Sequence, residues 1–240
     1  MHIFKIGNPY IGDSDEHYIN VYKAVPAEEM LPDWFKNLPN LTDQKDFTSR
    51  TGKSCRGIYD MMTMGYIFKW TQDMVIEKDD MGRHWIRKER DAANKDFAPH
   101  KAEQMGGYPH PLMAIQAEGV QKYLTPYHLN TPKGTSIMMI QPSYRPDLKT
   151  EIMPGIVDTD KYYTSFNILF MIKDIGDRKR VKIPAGTPLA QVIPFQRSEW
   201  TIEYGPVDDK LYRTILHNTE NLEGYYGKHL WTRKFFKRKK

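Results

Sequence analysis

Residues 155–160 read Gly-Ile-Val-Asp-Thr-Asp, so a short apolar run ends in two carboxylates, Asp158 and Asp160. A carboxylate within reach of a metal-bound or phosphate-adjacent water acts as a general base, which makes both residues catalytic candidates. The same pattern also fits an ordinary corner of a β structure. Downstream, residues 183–195 read Ile-Pro-Ala-Gly-Thr-Pro-Leu-Ala-Gln-Val-Ile-Pro-Phe, a turn that opens into a second apolar run. Polar groups at strand ends are where sites are commonly built. Three histidines, His100, His110 and His128, lie in or beside the loop-rich stretch 91–114. Together with the two aspartates they would suit a divalent metal such as iron or zinc. They lack the spacing of a ligand pair on one strand, and His110 lies between two prolines, so hydrogen bonding at the surface is the competing reading.

Ten Phe, five Trp and fifteen Tyr, with Tyr162-Tyr163 and Tyr225-Tyr226 as pairs, could stack on bases or sugars. They equally suit a β core or a protein interface, as do the thirteen methionines. The single Cys55 excludes an internal disulfide and a cysteine-based zinc cluster. No Walker loop, Rossmann fingerprint, HExxH motif or nucleophile elbow occurs.

The net charge of +5 is unevenly placed. Residues 233–240, Arg-Lys-Phe-Phe-Lys-Arg-Lys-Lys, hold six basic side chains and no acidic ones, which leaves −1 for residues 1–232. A near-neutral body argues against a nucleic-acid-binding face on the domain. The tail, with Arg233, Lys234, Phe235, Phe236, Lys237 and Arg238, is the place where phosphates or an acidic protein surface would be met. No run approaches the roughly 18 apolar residues of a membrane helix, and the start lacks the apolar core of a signal peptide. A protein without membrane or secretory address is expected.

The elements that must position these groups are mostly strands. Sixteen Pro and sixteen Gly punctuate the chain into short pieces. Residues 1–64 read as an irregular wrapping segment, in which Met30–Leu38 forms short helical turns with Trp34, Phe35 and Leu38 inward. Residues 65–77 alternate with period two, and a turn at 78–83 leads to a partner strand at 83–89, a hairpin. Further strands are expected at 124–130, 135–142, 154–160, 165–174, 181–184, 188–196 and 199–205. Their spacing predicts a mainly β fold with minor α, an antiparallel barrel or sandwich of β-clip or cupin-like form over 65–205. Residues 206–240 read as a C-terminal helix and the basic tail. Asp208 caps the helix, Leu211, Ile215, Leu216 and Leu222 make its stripe, and Gly224 ends it.

Three segments, Pro132-Lys133-Gly134-Thr135-Ser136, Gly155 to Asp160 and Gly186 to Gln191, resemble the ordered motifs of the dUTPase and dCTP deaminase family. That resemblance implies that Asp158 orients an attacking water. It further implies that Lys133, Thr135 and Ser136 hold phosphate, that Tyr162 or Tyr163 stacks beneath a sugar, and that Gln191 belongs to the ligand site. The chain departs from the family where Lys161 separates Asp160 from the tyrosines, and no glycine-rich C-terminal phosphate loop is present. Over nearly its full length the chain also resembles uncharacterised proteins of tailed phages, of the cyanophage and marine-phage type with some bacterial relatives. The matching segments include Pro-Asp-Trp-Phe-Lys at 32–36, Val-Asp-Thr-Asp at 157–160 and Gly-Thr-Pro-Leu-Ala-Gln-Val-Ile-Pro-Phe at 186–195. The resemblances imply a protein of the host cytoplasm or the virion that binds a small ligand, for which a nucleotide is the candidate, with hydrolysis as an extension. The alternative is a non-enzymatic structural or host-interaction protein, a homo-oligomer or assembly partner working through its aromatic surface and tail.

Overall fold

Residues 121–130 bury every second side chain, and this alternation makes them the longest strand of the protein. The computed structural model describes residues 5–7, 23–43, 49–87, 97–99, 104–105 and 107–237. Their strands are β1 (Lys5–Gly7), β2 (Val25–Pro26), β3 (Tyr66–Lys69), β4 (Met74–Lys78), β5 (His84–Ile86), β6 (Phe97–Pro99) and β7 (Gln121–Asn130). After these come β8 (Thr135–Ile140), β9 (Thr150–Ile152), β10 (Gly155–Val157), β11 (Ser165–Ile172), β12 (Arg180–Ile183) and β13 (Pro188–Gln196). The α-helices are α1 (Asp33–Asn37), α2 (Arg56–Thr63) and α3 (Asp209–Asn221).

Three antiparallel sheets result. The first runs β1-β7-β11-β9, with β6 also on β7, and the second runs β10-β8-β13-β3-β2. Their inward residues make one core, in which Phe68, Tyr123, Tyr127, Ile137, Phe166, Phe170 and Leu189 meet. Edge-to-face aromatic packing, Phe68 on Tyr127 at 4.8 Å and Trp70 on Phe170 at 5.2 Å, adds geometric preference to area burial. The architecture is an open sandwich. Among the described residues the sheets do not close into a barrel.

A third, small sheet, β12-β4-β5, continues from one corner. The expected hairpin is present as β4 on β5, but 65–77 holds two strands in two sheets and not one. The break falls at residues 70–73. Trp70 N–H donates to Thr187 O, Gly186 N–H donates back to Trp70 O, and Asp73 accepts from Ala185 N–H. Asp73 also pairs with Lys182. The turn at Gly186, with φ +85°, makes the same passage between sheets, so β12 and β13 pair with β4 and β3 and not with each other. Its neighbours at the corner explain why a Gly-Thr-Pro turn stands there without forming a hairpin.

Two further expectations are corrected. Residues 199–205 alternate like a strand but pair with nothing among the described residues, and Trp200, Ile202 and Tyr204 are exposed. In α1 only Phe35 is buried; Trp34 lies outside, its indole N–H donating to Tyr144 O at 3.1 Å. The C-terminal helix forms as read, with the Asp208 carboxylate accepting from Leu211 N–H at 2.9 Å.

Candidate functional site

Strand register builds the candidate site. On β8, which lies between β10 and β13, Ser136 is opposite Phe195 of β13, while Ile137 is opposite Val157 of β10. The first residues beyond these neighbouring strands are Asp158 on one side and Arg197 on the other. Each strand therefore delivers its polar follower to the same end of the sheet. Two tight turns finish the corner. In one, Thr135 N–H donates to Pro132 O and Gly134 takes φ +82°; in the other, Lys161 and Tyr162 N–H both donate to Asp158 O.

Arg197 organises the charges. Its Nη1 and Nη2 grip Asp160 Oδ1 and Oδ2 in a bidentate pair at 2.9 and 2.5 Å. The same Nη1 donates to Ser136 Oγ at 2.8 Å and lies 3.1 Å from Asp158 Oδ1. Asp160 Oδ2 also accepts from Gly134 N–H at 2.8 Å, and only 4% of its side chain is exposed. Arg197, with help from the Gly134 amide, lowers the Asp160 pKa from 3.8 to about 2. Asp160 is thus a structural carboxylate with both oxygens engaged. Of the two catalytic candidates, Asp160 is the one whose oxygens are both taken up by Arg197 and the Gly134 amide.

Asp158 differs. Ser136 Oγ donates to its Oδ1 at 2.6 Å, and this bond, with Arg197 and Lys161 nearby, holds the carboxyl below its ordinary range. Its side chain is 47% exposed, and the hydrogen bonds fall on Oδ1. Oδ2 is left without a hydrogen bond among the described residues and is the oxygen available as an acceptor. Tyr162 and Tyr163 follow it, both exposed, and Tyr163 meets the ring of His128 edge-on at 6.1 Å. Lys133 and Lys161 are exposed beside these turns and, among the described residues, form no ion pair. With Asp158, Tyr162 and Tyr163 exposed, the corner forms a shelf, and three surface cavities of 260, 470 and 490 Å³ lie away from it.

Other predicted site residues stand apart from it or are already occupied. Thr135 is buried, its hydroxyl accepting from Gln196 Nε2 at 2.8 Å, and the Ser136 hydroxyl is taken up by Asp158 and Arg197. Gln191 sits five residues back along β13, fully buried. Its Oε1 accepts from Ser143 N–H, and its Nε2 donates to the carbonyls of Met61 and Met64. It staples α2 to the sheet and is not part of the shelf. His110 Nδ1 caps the turn at Leu112, and its Nε2 lies 3.1 Å from Glu151. His128 is on β7, and His100 lies outside the described residues. Among the described residues no three His, Cys, Asp or Glu side chains gather in a way that could hold a metal ion.

The tail folds back on its own chain. Trp231 Nε1 and Lys234 Nζ both donate to Asp60 Oδ2 of α2, at 2.9 and 2.6 Å, and Arg56 lies over the Trp231 ring. Arg233 pairs with Glu28, Phe236 packs edge-on against Tyr66, and Tyr66 Oη donates to Lys237 O. Phe235 remains exposed, with Arg233 and Lys237 over its ring. Arg238 lies outside the described residues. No helix among the described residues is long and apolar enough to cross a membrane.

Arg197 is the residue that sequence reasoning missed. It is the first cation after the β13 run, and only the register that sets β13 beside β8 shows that it faces Asp158 and Asp160.

Fold and corner together define an antiparallel β protein with a polar shelf at one sheet end. Neither a protein-family model nor a curated protein sequence matches the chain. Among solved structures, it is similar to a mutant dUTPase from phage phi11 of S. aureus, at 12% identity and a TM-score of 0.37, over 86% of this chain and 97% of that one. A mutant dUTPase of Staphylococcus bacteriophage 80alpha, solved with dUpNHpp, gives 12% identity and 0.37 over 86% and 89%. A second mutant of that phage enzyme gives 14% and 0.32 over 60% and 86%. The likeness to phage dUTPases is partial, and no residue role is taken from it.

Proposed function

We propose that the shelf at Asp158 binds a nucleotide-like phosphorylated ligand. The observation that carries this reading is a half-exposed, ionised Asp158 whose contacts to Ser136 and Arg197 fall on Oδ1, flanked by exposed Tyr162 and Tyr163. A fixed carboxylate accepts from a sugar hydroxyl, the tyrosine rings offer stacking surface, and Lys133 and Lys161 supply charge for phosphate. Asp158 is better suited to accepting a hydrogen bond than to abstracting a proton, since its pKa is held down and a general base works best near the operating pH. Binding is therefore the primary function, and hydrolysis would need Asp158 to orient a water through Oδ2.

Thermal unfolding with a panel of deoxynucleoside and ribonucleoside triphosphates tests this. A ligand at about 100 times its Kd adds about 2.7 kcal/mol to the folded state, so a clear rise in Tm is expected. Asp158→Asn and Tyr163→Ala should each reduce it. Phosphate release in the same mixtures reads the hydrolytic extension. No Tm rise with any nucleotide, or a rise unchanged by both substitutions, would sink the proposal.

A further inference from the structure

The cleft of 260 Å³ is walled by all three sheets. Thr150 begins β9 of the first, Pro188 begins β13 of the second, and Val181, Lys182 and Ile183 belong to β12 of the third. Trp70, Leu148 and Ile183 make its apolar part, and each is at most 4% exposed. Four charged side chains make the rest: Asp147, Lys149, Arg178 and Lys182. Two of these are already matched. Arg145 grips Asp147 in a bidentate pair at 2.9 and 2.7 Å, and Lys182 pairs with Asp73. Lys149 and Arg178 form no ion pair among the described residues, so the cleft carries two positive charges without counter-charges of their own.

The backbone that carries both cations is pinned. Lys173 N–H donates to Lys149 O at 2.9 Å. On either side of Arg178, Lys78 N–H donates to Lys179 O at 2.9 Å and Lys78 Nζ donates to Gly176 O. Placement ahead of binding lowers the ordering cost that a ligand must repay. Buried apolar side chains beside a few placed charges are the usual composition of a small-molecule site. Volume sets the size of the ligand: 260 Å³ is the share of about nine water molecules at ~30 Å³ each. Charge sets its head group. A guanidinium fork matches a carboxylate, and two cations balance one or two negative charges, too few for a triphosphate.

We infer that this cleft is a second ligand site, which takes a small carboxylate with an apolar body of about six to eight carbon atoms. The carboxylate meets Arg178 and Lys149, and the apolar body covers Trp70, Leu148 and Ile183. No residue of the cleft belongs to the Asp158 shelf, so the inference stands apart from the nucleotide proposal. Titration of the full chain with phenylacetate, followed in amide NMR spectra, tests it. Saturable shifts are expected at residues 147–150 and 178–188, with a Kd on the order of 1 mM or tighter. Phenylacetamide, which has the same shape and no charge, should bind about tenfold more weakly. Arg178→Gln and Lys149→Gln should each weaken phenylacetate about fivefold, with the remaining spectrum native because neither side chain belongs to the core. Lack of saturation up to about 10 mM overturns the inference. So do equal affinity for phenylacetamide, shifts centred on residues 158–163, or either folded variant that keeps the native Kd.

Discussion

At the scale of single residues, two aspartates with the same look in sequence have opposite fates. Asp160 is enclosed by Arg197 and the Gly134 amide, whereas Asp158 is half-exposed and engaged only through Oδ1. Because the folded state holds the Asp160 pKa near 2, below its ordinary 3.8, the stability it contributes is present above pH 4 and is lost as the pH falls toward 2. Thermal unfolding across that range should show a steeper fall for the native chain than for Asp160→Asn, which has no carboxyl to protonate. Gln191 gives a second test. Replacing it with alanine leaves Met61 O, Met64 O and Ser143 N–H without their partner, and unsatisfied buried groups cost ~1–3 kcal/mol each. A loss of roughly 3 kcal/mol in chemical denaturation is expected, with nucleotide binding per folded molecule unchanged. The sequence marks the carboxylates as important, but which of them is free depends on Arg197, some forty residues away and joined to them only by strand register.

At the scale of elements, period-two alternation and turn residues locate most of the strands from β7 to β13. The exceptions are instructive. β2 and β9 are two or three residues long and exist only because a neighbour offers an open edge, β3 for the one and β11 for the other, which no local pattern announces. The stretch 199–205 alternates well and is no strand, since alternation records which side chains seek cover and not whether a partner strand is present. The 65–77 run divides because a corner interrupts it. Gly65, between α2 and β3, shows how tightly such junctions are made. It has φ +75°, and a Cβ there would lie 2.2 Å from Val192 O, so backbone would have to move. Gly65→Ala should cost at least about 2 kcal/mol, read as a lower denaturation midpoint, with strain and clash acting together. Gly82→Ala is the control: φ is similarly positive but the space around it is empty, so only the smaller conformational cost applies.

On the scale of the whole molecule, the basic tail changes meaning. Composition alone makes it a free cationic end, yet Arg233 and Lys234 spend their charge on Glu28 and Asp60, and Trp231 and Phe236 anchor it. Asp60→Ala should loosen it, seen as faster hydrogen exchange over residues 229–237 with the sheets unaffected. The closing segment also means that integrity of the main chain is not what keeps the C-terminal end in place. Trypsin would cut the exposed stretch between Arg197 and Tyr225 at Lys210 or Arg213, giving two polypeptides that travel as one particle under native conditions and separate in denaturant. Asp60→Ala would let them part. The C-terminal piece is in effect a removable latch, and the two fragments, made separately, should find each other and restore the native exchange pattern of α2.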